Sequence, residues 1–242
     1  MNIRIFQRGF NFSQDGPGNR LVYHLSGCNI HCPWCSNPEG FDRNSSTVYT
    51  VDALTEEVLR SRMMFFDGGG VTLTGGEVTV QLDSAKELLT RLHAAGINTC
   101  IETNGICERL PELFDVLDLL IMDIKHYDPA FHKKVTGLSN EITVNNISEA
   151  IRKHQPLNLR IPLIGGFNTS DQDAKGFVRL FRDLQLPADV PLELLPYHEF
   201  GRAKYEKLGM LYPMDDGAKV SSKQLHSFRR VLESAGFMTI VT

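Results

Sequence analysis

The sequence predicts an α/β protein whose parallel sheet forms a TIM-like partial barrel, (β/α)6, open on one side. Apolar or alternating segments of strand length take turns with segments of helical spacing, as in right-handed βαβ units around a parallel sheet. The segment 119–125 is almost entirely apolar, which is typical of strands covered on both faces. Six strand–helix units are too few to close an eightfold barrel. We therefore expect a single domain, 1–242, with an open barrel.

The predicted elements follow one another along the whole chain. Strands are expected at 3–12, 21–26, 71–74, 97–103, 119–125, 157–164, 191–196 and 237–241. The first of these is a leading strand or part of a short hairpin, and the second is the first strand of the barrel. Helices are expected at 51–65, 84–95, 110–117, 129–135, 147–154, 170–184 and 221–235.

Turn and capping residues support several of these boundaries. The Asp-Gly-Gly-Gly segment 67–70 ends the helix that begins at 51. Ser84 is expected to cap the next helix, and Gly96 follows that helix where a glycine commonly closes one. Ser221 or Ser222 is expected to cap the last helix.

Composition excludes several classes of protein. Hydrophobic residues make up 42% of the chain and charged residues 22%, which is ordinary for a packed globular protein. The formal net charge of −4 argues against a nucleic-acid partner, which would require a basic surface. No run reaches the roughly eighteen apolar residues of a membrane span, and the first residues lack the apolar core of a signal peptide. We therefore expect a cytoplasmic monomer that binds neither nucleic acid nor membranes.

Three of the five cysteines, Cys28, Cys32 and Cys35, lie within eight residues, in the loop after the first barrel strand. Closely spaced thiolates indicate a metal, and a purely electron-carrying 4Fe–4S cluster takes four of them. With three, one iron keeps an open position, which is a feature of catalytic metal sites. A zinc site completed by His24 or His31 is an alternative, although structural zinc sites usually bring two separated ligand pairs. A disulfide fits poorly, because the cluster is tight and odd in number.

The residues around the cysteines carry a family resemblance. The spacing C-x3-C-x2-C resembles the radical S-adenosylmethionine (SAM) superfamily. The surrounding segments Asp15-Gly-Pro-Gly-Asn-Arg20 and Ser36-Asn-Pro-Glu39 resemble the glycyl-radical-enzyme activating enzymes, and the resemblance runs over nearly the whole chain. Many of these enzymes carry a ferredoxin-like insert soon after the second segment. This chain passes almost directly to a helix and resembles the single-cluster type.

The resemblance implies one 4Fe–4S cluster with three cysteine ligands and with SAM bound at the open iron. A flavodoxin- or ferredoxin-type reductant would supply the electron that cleaves SAM to methionine and a 5′-deoxyadenosyl radical. That radical would remove a hydrogen atom from the Cα of a glycine in a protein partner, a glycyl radical enzyme. The implied catalytic residues are Cys28, Cys32, Cys35 and Lys125. Asp15, Gly16 and Gly18 are the implied partner-binding residues, expected against the glycine loop of that partner.

Polar residues follow the predicted strands at the points where each strand ends. Because the carboxyl ends of parallel barrel strands meet on one face, we expect these residues to form one site. Packing alone does not explain charged and small residues at the ends of otherwise apolar strands. The residues are Gly75, Gly76, Glu77, Glu102, Asp123, Lys125, Arg160 and His198.

The resemblance gives the first of these residues a place around the amino acid end of SAM. The Gly75-Gly76-Glu77 segment matches one that meets the amino group, and Lys125 matches a lysine that meets the carboxylate. Glu102 and Asp123 match positions near that end of SAM and near a monovalent cation, with Glu102 in place of an aspartate. On the residues alone, a glycine pair is more often an ordinary turn, but its place after an apolar strand and beside Glu77 favours a site. A lone lysine such as Lys125 would by default reach toward water.

Four further residues match positions near SAM in the same family. Trp34 and Asn37 match contacts to the adenine and ribose, and Arg160 and His198 match residues close to SAM. A single histidine in a barrel is more often a structural residue, but the length of the Leu-Leu-Pro-Tyr-His-Glu match favours a site. Two remaining cysteines, Cys100 and Cys107, are expected to be buried thiols without a metal.

Two other functions stay open on the sequence. The first is a radical SAM enzyme that acts on a small molecule or a peptide, and a neighbouring gene for a glycyl radical enzyme would argue against it. The second is a non-enzymatic metal or electron-transfer module. Such a module needs a fourth protein ligand for its cluster, and SAM would not perturb its spectra.

Overall fold

The computed structural model describes residues 1–12, 14–42 and 46–241, without the side chain of Val241. Its strands are β1 (Asn2–Phe12), β2 (Asn19–Leu25), β3 (Thr47–Thr50), β4 (Gly70–Gly75), β5 (Asn98–Thr103), β6 (Leu119–Asp123), β7 (Leu157–Leu163), β8 (Leu192–Pro196) and β9 (Thr239–Val241). Its α-helices are α1 (Val51–Arg60), α2 (Leu82–Ala94), α3 (Pro129–Thr136), α4 (Glu141–Arg152), α5 (Asp171–Asp183), α6 (Arg202–Lys207) and α7 (Ser222–Ser234). Short 3-10 segments lie at Pro38–Phe41, Arg62–Met64, Val78–Gln81, Leu110–Val116 and Asp216–Ala218. Across the described ranges, every helix is too short or too polar to cross a membrane.

The strands form one sheet in the order β3-β1-β2-β4-β5-β6-β7-β8-β9. β1 pairs antiparallel with β2 and β3 at one end of this order. The pairs β2–β4, β4–β5, β7–β8 and β8–β9 are parallel, as the sequence predicts for an α/β protein. The chain divides into two compact units, Met1–Asn29 with Asn37–Ile121, and Ile30–Ser36 with Met122–Thr242. The prediction of one domain over 1–242 includes residues 13, 43–45 and 242, which lie outside the described residues, and it stays a prediction.

In the first unit, β2, β4 and β5 supply buried apolar residues, and α1 and α2 pack beside them. The apolar side chains recur at helical spacing, so that Leu54 and Val58 of α1 and Leu88 and Leu92 of α2 are fully buried. The hydroxyl of Thr50 accepts the backbone N–H of Ala53 at 3.1 Å and caps α1.

Arg20 fastens the turn that precedes β2 in this unit. It is fully buried, and its guanidinium donates to Thr72 Oγ1 at 2.7 Å, to the Val71 carbonyl at 2.7 Å and to Asn98 Oδ1 at 2.9 Å. Thr72 in turn donates to the backbone carbonyl of Asp15 at 2.6 Å. Burial lowers the pKa of Arg20, and these acceptors compensate the buried charge. The turn is therefore tied to the amino ends of β2 and β4.

The second unit has an aromatic core between α5, α7 and the loop after β6. Phe177 of α5 lies 5.8 Å, ring centre to ring centre, from Phe228 of α7, and the rings of His126 and Tyr127 stack at 4.5 Å. A Cβ at position 176 would lie 2.4 Å from the Tyr127 ring, so the glycine there permits close approach of α5.

Most predicted strands and helices are confirmed, with boundaries shifted by a few residues. Ser221, rather than Ser222, caps α7, and Ser170 caps α5; each forms a capping box with the third residue of its helix. Gly96 has a φ of +70°, as expected for a glycine that closes a helix.

Several predicted details are wrong. The helix predicted for 51–65 ends at Arg60 and gives way to a 3-10 turn, and the segment predicted as a helix at 110–117 is also 3-10. Ser84 lies inside α2, because the turn Val78–Gln81 leads directly into that helix and leaves Gln81 at its N-cap. The short elements β3 and α6 are absent from the prediction.

Candidate functional site

Within the first unit, three sequence-predicted segments lie at the carboxyl ends of parallel strands. β2 leads to Cys28, β4 to the Gly75-Gly76-Glu77 segment and β5 to Glu102. Leu25 pairs with Gly75 in the register of β2 and β4, so the cysteine loop and the glycine segment start at the same level. The prediction that strand-end residues share one edge is therefore met within this unit.

The glycine pair brings the backbone after β4 against the backbone that leads to Cys28. Gly75 has a φ of +103°, and Gly76 donates its N–H to the Leu25 carbonyl at 2.8 Å. The N–H of Glu77 donates to the Gly27 carbonyl at 2.7 Å. A Cβ at position 76 would lie 2.2 Å from that carbonyl oxygen, so only glycine fits. The glycine pair therefore allows two backbone segments to pack in direct contact, and it is not an ordinary turn.

Glu77 is fully buried, and protein donors surround its carboxylate. Oε1 accepts from the backbone N–H of Thr79 at 2.9 Å, from its hydroxyl at 2.7 Å and from the hydroxyl of Thr103 at 2.7 Å. Oε2 accepts the backbone N–H of Asn104 at 2.8 Å. These bonds join the loop after β4 to the loop after β5. Glu102, at the end of β5, accepts the hydroxyl of Thr74 at 2.7 Å.

The second unit carries the other two cysteines of the motif. Cys35 donates its backbone N–H to the Cys32 carbonyl at 3.1 Å, which forms a tight turn between them. Burial raises the pKa of the Cys32 thiol to about 12, and Lys125 opposes this shift. A metal bound here would have to displace the proton that burial keeps on this thiol. Thiolates are nevertheless the ligands that iron–sulfur clusters take, so Cys32 and Cys35 in this tight turn fit two ligand positions of such a cluster by their chemistry.

Lys125 and Asp123 form an ion pair in the second unit. Lys125 Nζ lies 2.5 Å from Asp123 Oδ2, with side-chain exposures of 9% and 30%. Lys125 is thus a buried ammonium and does not reach toward water, which removes the alternative interpretation of this lysine. An ammonium has three donors, so Lys125 can bind a second acceptor beside Asp123.

Arg160 on β7 is also paired, with a residue that the sequence analysis missed. Arg160 Nε lies 2.5 Å from Glu193 Oε2, and the side chains are 11% and 5% exposed. The register of the parallel strands places the two residues opposite each other. An acidic residue in the otherwise apolar β8 is the sequence feature that could have revealed the pair.

The loop that follows β8 lies against the third cysteine. A Cβ at Gly201 would lie 2.4 Å from the Cys35 carbonyl oxygen, so α6 begins in direct contact with the Cys35 backbone. Tyr205 on α6 is buried, and burial, with a smaller contribution from the thiols of Cys35 and Cys32, raises its pKa to about 12. Neither Gly201 nor Tyr205 was predicted.

The remaining residues predicted to contact SAM are divided between the two units, with Trp34 and His198 in the second and Asn37 in the first. In the second unit, Trp34 is buried, with its ring centre 4.7 Å from that of Phe167. His198 is exposed, its ring stacks on Phe200 at 4.1 Å, and partial burial lowers its pKa, which favours the neutral ring. In the first unit, Asn37 precedes the 3-10 turn Pro38–Phe41 and accepts the N–H of Gly40 on its carbonyl at 3.0 Å.

Asp15, Gly16 and Gly18 lie at the opposite edge of the first unit from Cys28. They precede β2, whereas Cys28 follows it, and the seven residues of β2 span about 20 Å. A Cβ at Gly18 would lie 2.4 Å from the Phe66 carbonyl oxygen, so the turn packs on the loop before β4. Within neither unit do the described residues gather three His, Cys, Asp or Glu side chains as a metal site.

Comparison with known proteins places the chain in a family. Residues 22–178 match the Radical SAM superfamily. The chain is 29% identical to the choline trimethylamine-lyase activating enzyme of Oleidesulfovibrio alaskensis and 30% identical to the pyruvate formate-lyase 1-activating enzyme of Escherichia coli, each match covering 92% of both chains. A crystal structure of a domain of a pyruvate-formate lyase-activating enzyme from Bacteroides vulgatus superposes with a TM-score of 0.59 at 24% identity, over 72% of this chain and 99% of that one.

The chain therefore belongs to the Radical SAM superfamily, and it is an enzyme of that class. Within the superfamily, it is similar to the activating enzymes of glycyl radical enzymes, as the resemblance around the cysteines predicts. The shared fold confirms the predicted partial barrel. Membership implies a 4Fe–4S cluster and SAM as cofactors, which removes the zinc and non-enzymatic alternatives.

Proposed function

We propose that this chain cleaves SAM reductively and installs a glycyl radical on a partner glycyl radical enzyme. The observation that carries the proposal is the similarity over 92% of both chains to two enzymes named as activators of lyases. The partners named for those two relatives differ, so the similarity supports the class of partner and not one particular lyase. We further propose that the reaction takes place in the cytoplasm, where thiols stay reduced.

One electron from a flavodoxin- or ferredoxin-type reductant breaks the bond between the sulfonium sulfur and the 5′-carbon of SAM, which leaves methionine and a 5′-deoxyadenosyl radical. That radical takes a hydrogen atom from a glycine Cα, so 5′-deoxyadenosine forms and the unpaired electron remains on the glycine. The transfer is favourable because the flanking amides delocalise the glycyl radical. A 4Fe–4S cluster held by Cys28, Cys32 and Cys35 would pass this electron from the reductant to the sulfonium.

Cys28, Cys32 and Cys35 would hold that cluster, and Lys125 would orient SAM. The thiolates are the soft ligands that iron–sulfur clusters require. Lys125 would donate to the carboxylate of SAM while its ion pair with Asp123 stays intact. The burial of Lys125 would strengthen this charge-assisted hydrogen bond. This combination binds and positions the methionine end of the cofactor before cleavage.

The other strand-end residues would complete the SAM site. The Gly75-Gly76-Glu77 segment would meet the amino group, and the described bonds of Glu77 use Oε2 only once, which leaves it capacity for a further donor. Glu102 would contact a monovalent cation. We assign Trp34 and Asn37 to the adenosine, and Arg160 and His198 to positions near SAM.

Asp15, Gly16 and Gly18 would contact the partner enzyme, which we propose meets a monomer of this chain. Because this turn lies about 20 Å along β2 from the cysteine loop, it would touch the partner outside the reacting glycine. The contact would therefore contribute to docking rather than to hydrogen abstraction.

The test uses the anaerobic protein with cluster, SAM, reductant and a candidate partner, chosen as a glycyl radical enzyme whose gene neighbours that of this chain. The partner should develop a doublet electron paramagnetic resonance (EPR) signal that collapses when its glycine is deuterated at Cα. Asp15→Ala should lower the radical yield more than it lowers SAM cleavage without partner, whereas the exposed Asp183→Ala should change neither. The activating role is wrong if the partner shows no radical EPR signal and the enzyme instead cleaves SAM in stoichiometric proportion to a small molecule or a peptide that it converts.

A further inference from the structure

Asn29, the residue after Cys28, is held by hydrogen bonds at both ends of its side-chain amide. Its Oδ1 accepts from Asn104 Nδ2 at 2.8 Å, and its Nδ2 donates to the carbonyl of Ile106 at 2.8 Å. Asn104 Oδ1 accepts the backbone N–H of Ile106 at 2.9 Å, which fixes the orientation of both amides. The loop after β5 therefore forms hydrogen bonds with both polar atoms of the Asn29 side chain.

Asn104 is itself locked in place by Glu77. Its backbone N–H donates to Glu77 Oε2 at 2.8 Å, and both residues are buried, with 8% and 0% exposure. The same Glu77 also bonds through its N–H to the Gly27 carbonyl, the residue before Cys28. The two chain neighbours of Cys28 are therefore both fixed: Gly27 is bonded to the loop after β4, and Asn29 to the loop after β5. The Glu77 carboxylate joins these two loops.

We infer that Asn29 and Asn104 are positioning residues for Cys28, an inference that rests on the proposed cluster function. Cys28 follows a glycine with a φ of +97° and lies in a loop, where a backbone without such partners samples many conformations. The amide pair removes that freedom at the residue after the thiolate ligand. Groups behind a metal ligand set its orientation and contribute to metal affinity.

The test compares Asn29→Ala, Asn104→Ala and the double variant with Asn19→Ala as a matched control. Asn19 and Asn104 have the same exposure of 8%, and the Asn19 amide donates to the Met64 carbonyl at 2.8 Å, at the other edge of the unit. In cluster-free protein, amide hydrogen exchange at Ile106 should be about tenfold faster in Asn104→Ala than in the wild type, because this N–H loses Asn104 Oδ1 as its acceptor. Asn19→Ala should leave this amide unchanged.

After anaerobic reconstitution, each single variant should lose iron to a chelator about tenfold faster than the wild type. The EPR signal of its reduced cluster should also respond differently to SAM. Both substitutions remove the bond between Asn29 and Asn104, so the effect of the double variant on iron loss should be smaller than the sum of the two single effects. Asn19→Ala should behave as the wild type, which a general loss of stability would not produce.

The outcomes separate this inference from the function on which it rests. A wild-type protein that holds no 4Fe–4S cluster removes the proposed function, and the exchange rates still report on the amide pair. A wild-type protein that cleaves SAM, with single variants that keep iron as firmly as Asn19→Ala, overturns the inference alone. Additive effects in the double variant also overturn it, because the contact would then not be the cause.

Discussion

Arg160 and Glu193 face each other across neighbouring parallel strands and form an ion pair of 2.5 Å. Their side chains are 11% and 5% exposed, so the pair is largely withdrawn from water. A buried pair of this kind does not by itself stabilise a fold strongly, but removal of one partner leaves an uncompensated charge in a dry site. Glu193 therefore fixes Arg160, one of the residues assigned to the SAM site.

We expect Glu193→Gln to lower the free energy of unfolding by about 3 kcal/mol, because the buried ion pair between Arg160 and Glu193 is broken while the shape is kept. Urea denaturation at neutral pH measures the change. The matched control is Glu199→Gln, which breaks a pair of the same 2.5 Å length, with Arg202, whose side chains are 35% and 43% exposed. The control should stay close to the wild type, and an equal loss in both variants would contradict the role of burial.

Lys125→Ala should weaken SAM binding by about tenfold or more without loss of iron, because it would remove the charge-assisted bond that we propose between Lys125 and the SAM carboxylate. His198→Ala should weaken it less, since burial lowers the histidine pKa and leaves a neutral donor or acceptor. Equilibrium binding and the rate of reductive cleavage measure both effects. Lys153→Ala, which removes an ion pair with Glu149 on a helix surface, is the control. Wild-type cleavage in both site variants would show that the site is misplaced.

Stability should fall as the pH drops below about 6.5, because burial lowers the pKa of His126 and His132 in the folded protein. Below that pH the two histidines are protonated in the unfolded chain but stay neutral in the folded protein, so protonation favours unfolding. Their contribution to the free energy of unfolding is therefore present above about pH 6.5 and is lost below it. His126→Asn keeps an acceptor for the backbone N–H of Asp128, which His126 Nδ1 accepts at 3.0 Å. The variant should flatten the dependence of unfolding free energy on pH, and an unchanged slope would contradict this explanation.

Sequence periodicity was sufficient for the long elements of the fold because burial sets their pattern. The apolar run around β6 is typical of a strand that is buried on both faces, and the helical spacing of apolar residues in α5 is typical of a helix that is buried on one face. β3, of four residues, and α6, of six, are too short to show a period, and they form through tertiary contacts. The 3-10 turn Leu110–Val116 has helical spacing but carries a proline at its start, which periodicity does not distinguish.

Residues that end strands could be read from the sequence, but the residues that hold them could not. Glu193 partners Arg160 through sheet register, and Asn104 partners Asn29 across 75 positions of chain. Such partners depend on which strands become neighbours. The position of the Asp15 turn was foreseeable, because it precedes the strand that the cysteines follow.

Anaerobic reconstitution should give about four irons per chain. Replacing Cys28, Cys32 or Cys35 with alanine should abolish cluster binding, since each would remove one thiolate ligand. Cys100→Ala and Cys107→Ala should keep the cluster, because Cys100 is fully buried on β5 and Cys107 lies in the loop beyond it. Iron and acid-labile sulfide analysis measures the result, and zinc in place of iron would contradict it.

Gly201→Ala should loosen the cluster by displacing the backbone of Cys35. A Cβ at position 201 would lie 2.4 Å from the Cys35 carbonyl oxygen, a distance that real contacts do not reach, so one of the two segments must move. Since Cys35, the proposed third ligand, lies on one segment and α6 on the other, we expect faster loss of iron to a chelator, by about tenfold. The variant should also shift the EPR signal of the reduced cluster.

Gly9→Ala is the matched control for Gly201→Ala. Gly9 lies on β1, and a Cβ there meets nothing within 4 Å, so the same added methyl group should leave iron retention unchanged. A second variant, Tyr205→Phe, distinguishes the effect of the position of α6 from the effect of the Tyr205 hydroxyl. It keeps the packed ring and removes only the hydroxyl oxygen. If Gly201→Ala retains iron as firmly as Gly9→Ala, the contact between the α6 loop and Cys35 does not position the ligand. If Tyr205→Phe alone shifts the EPR signal, the hydroxyl and not the backbone contact acts on the cysteines.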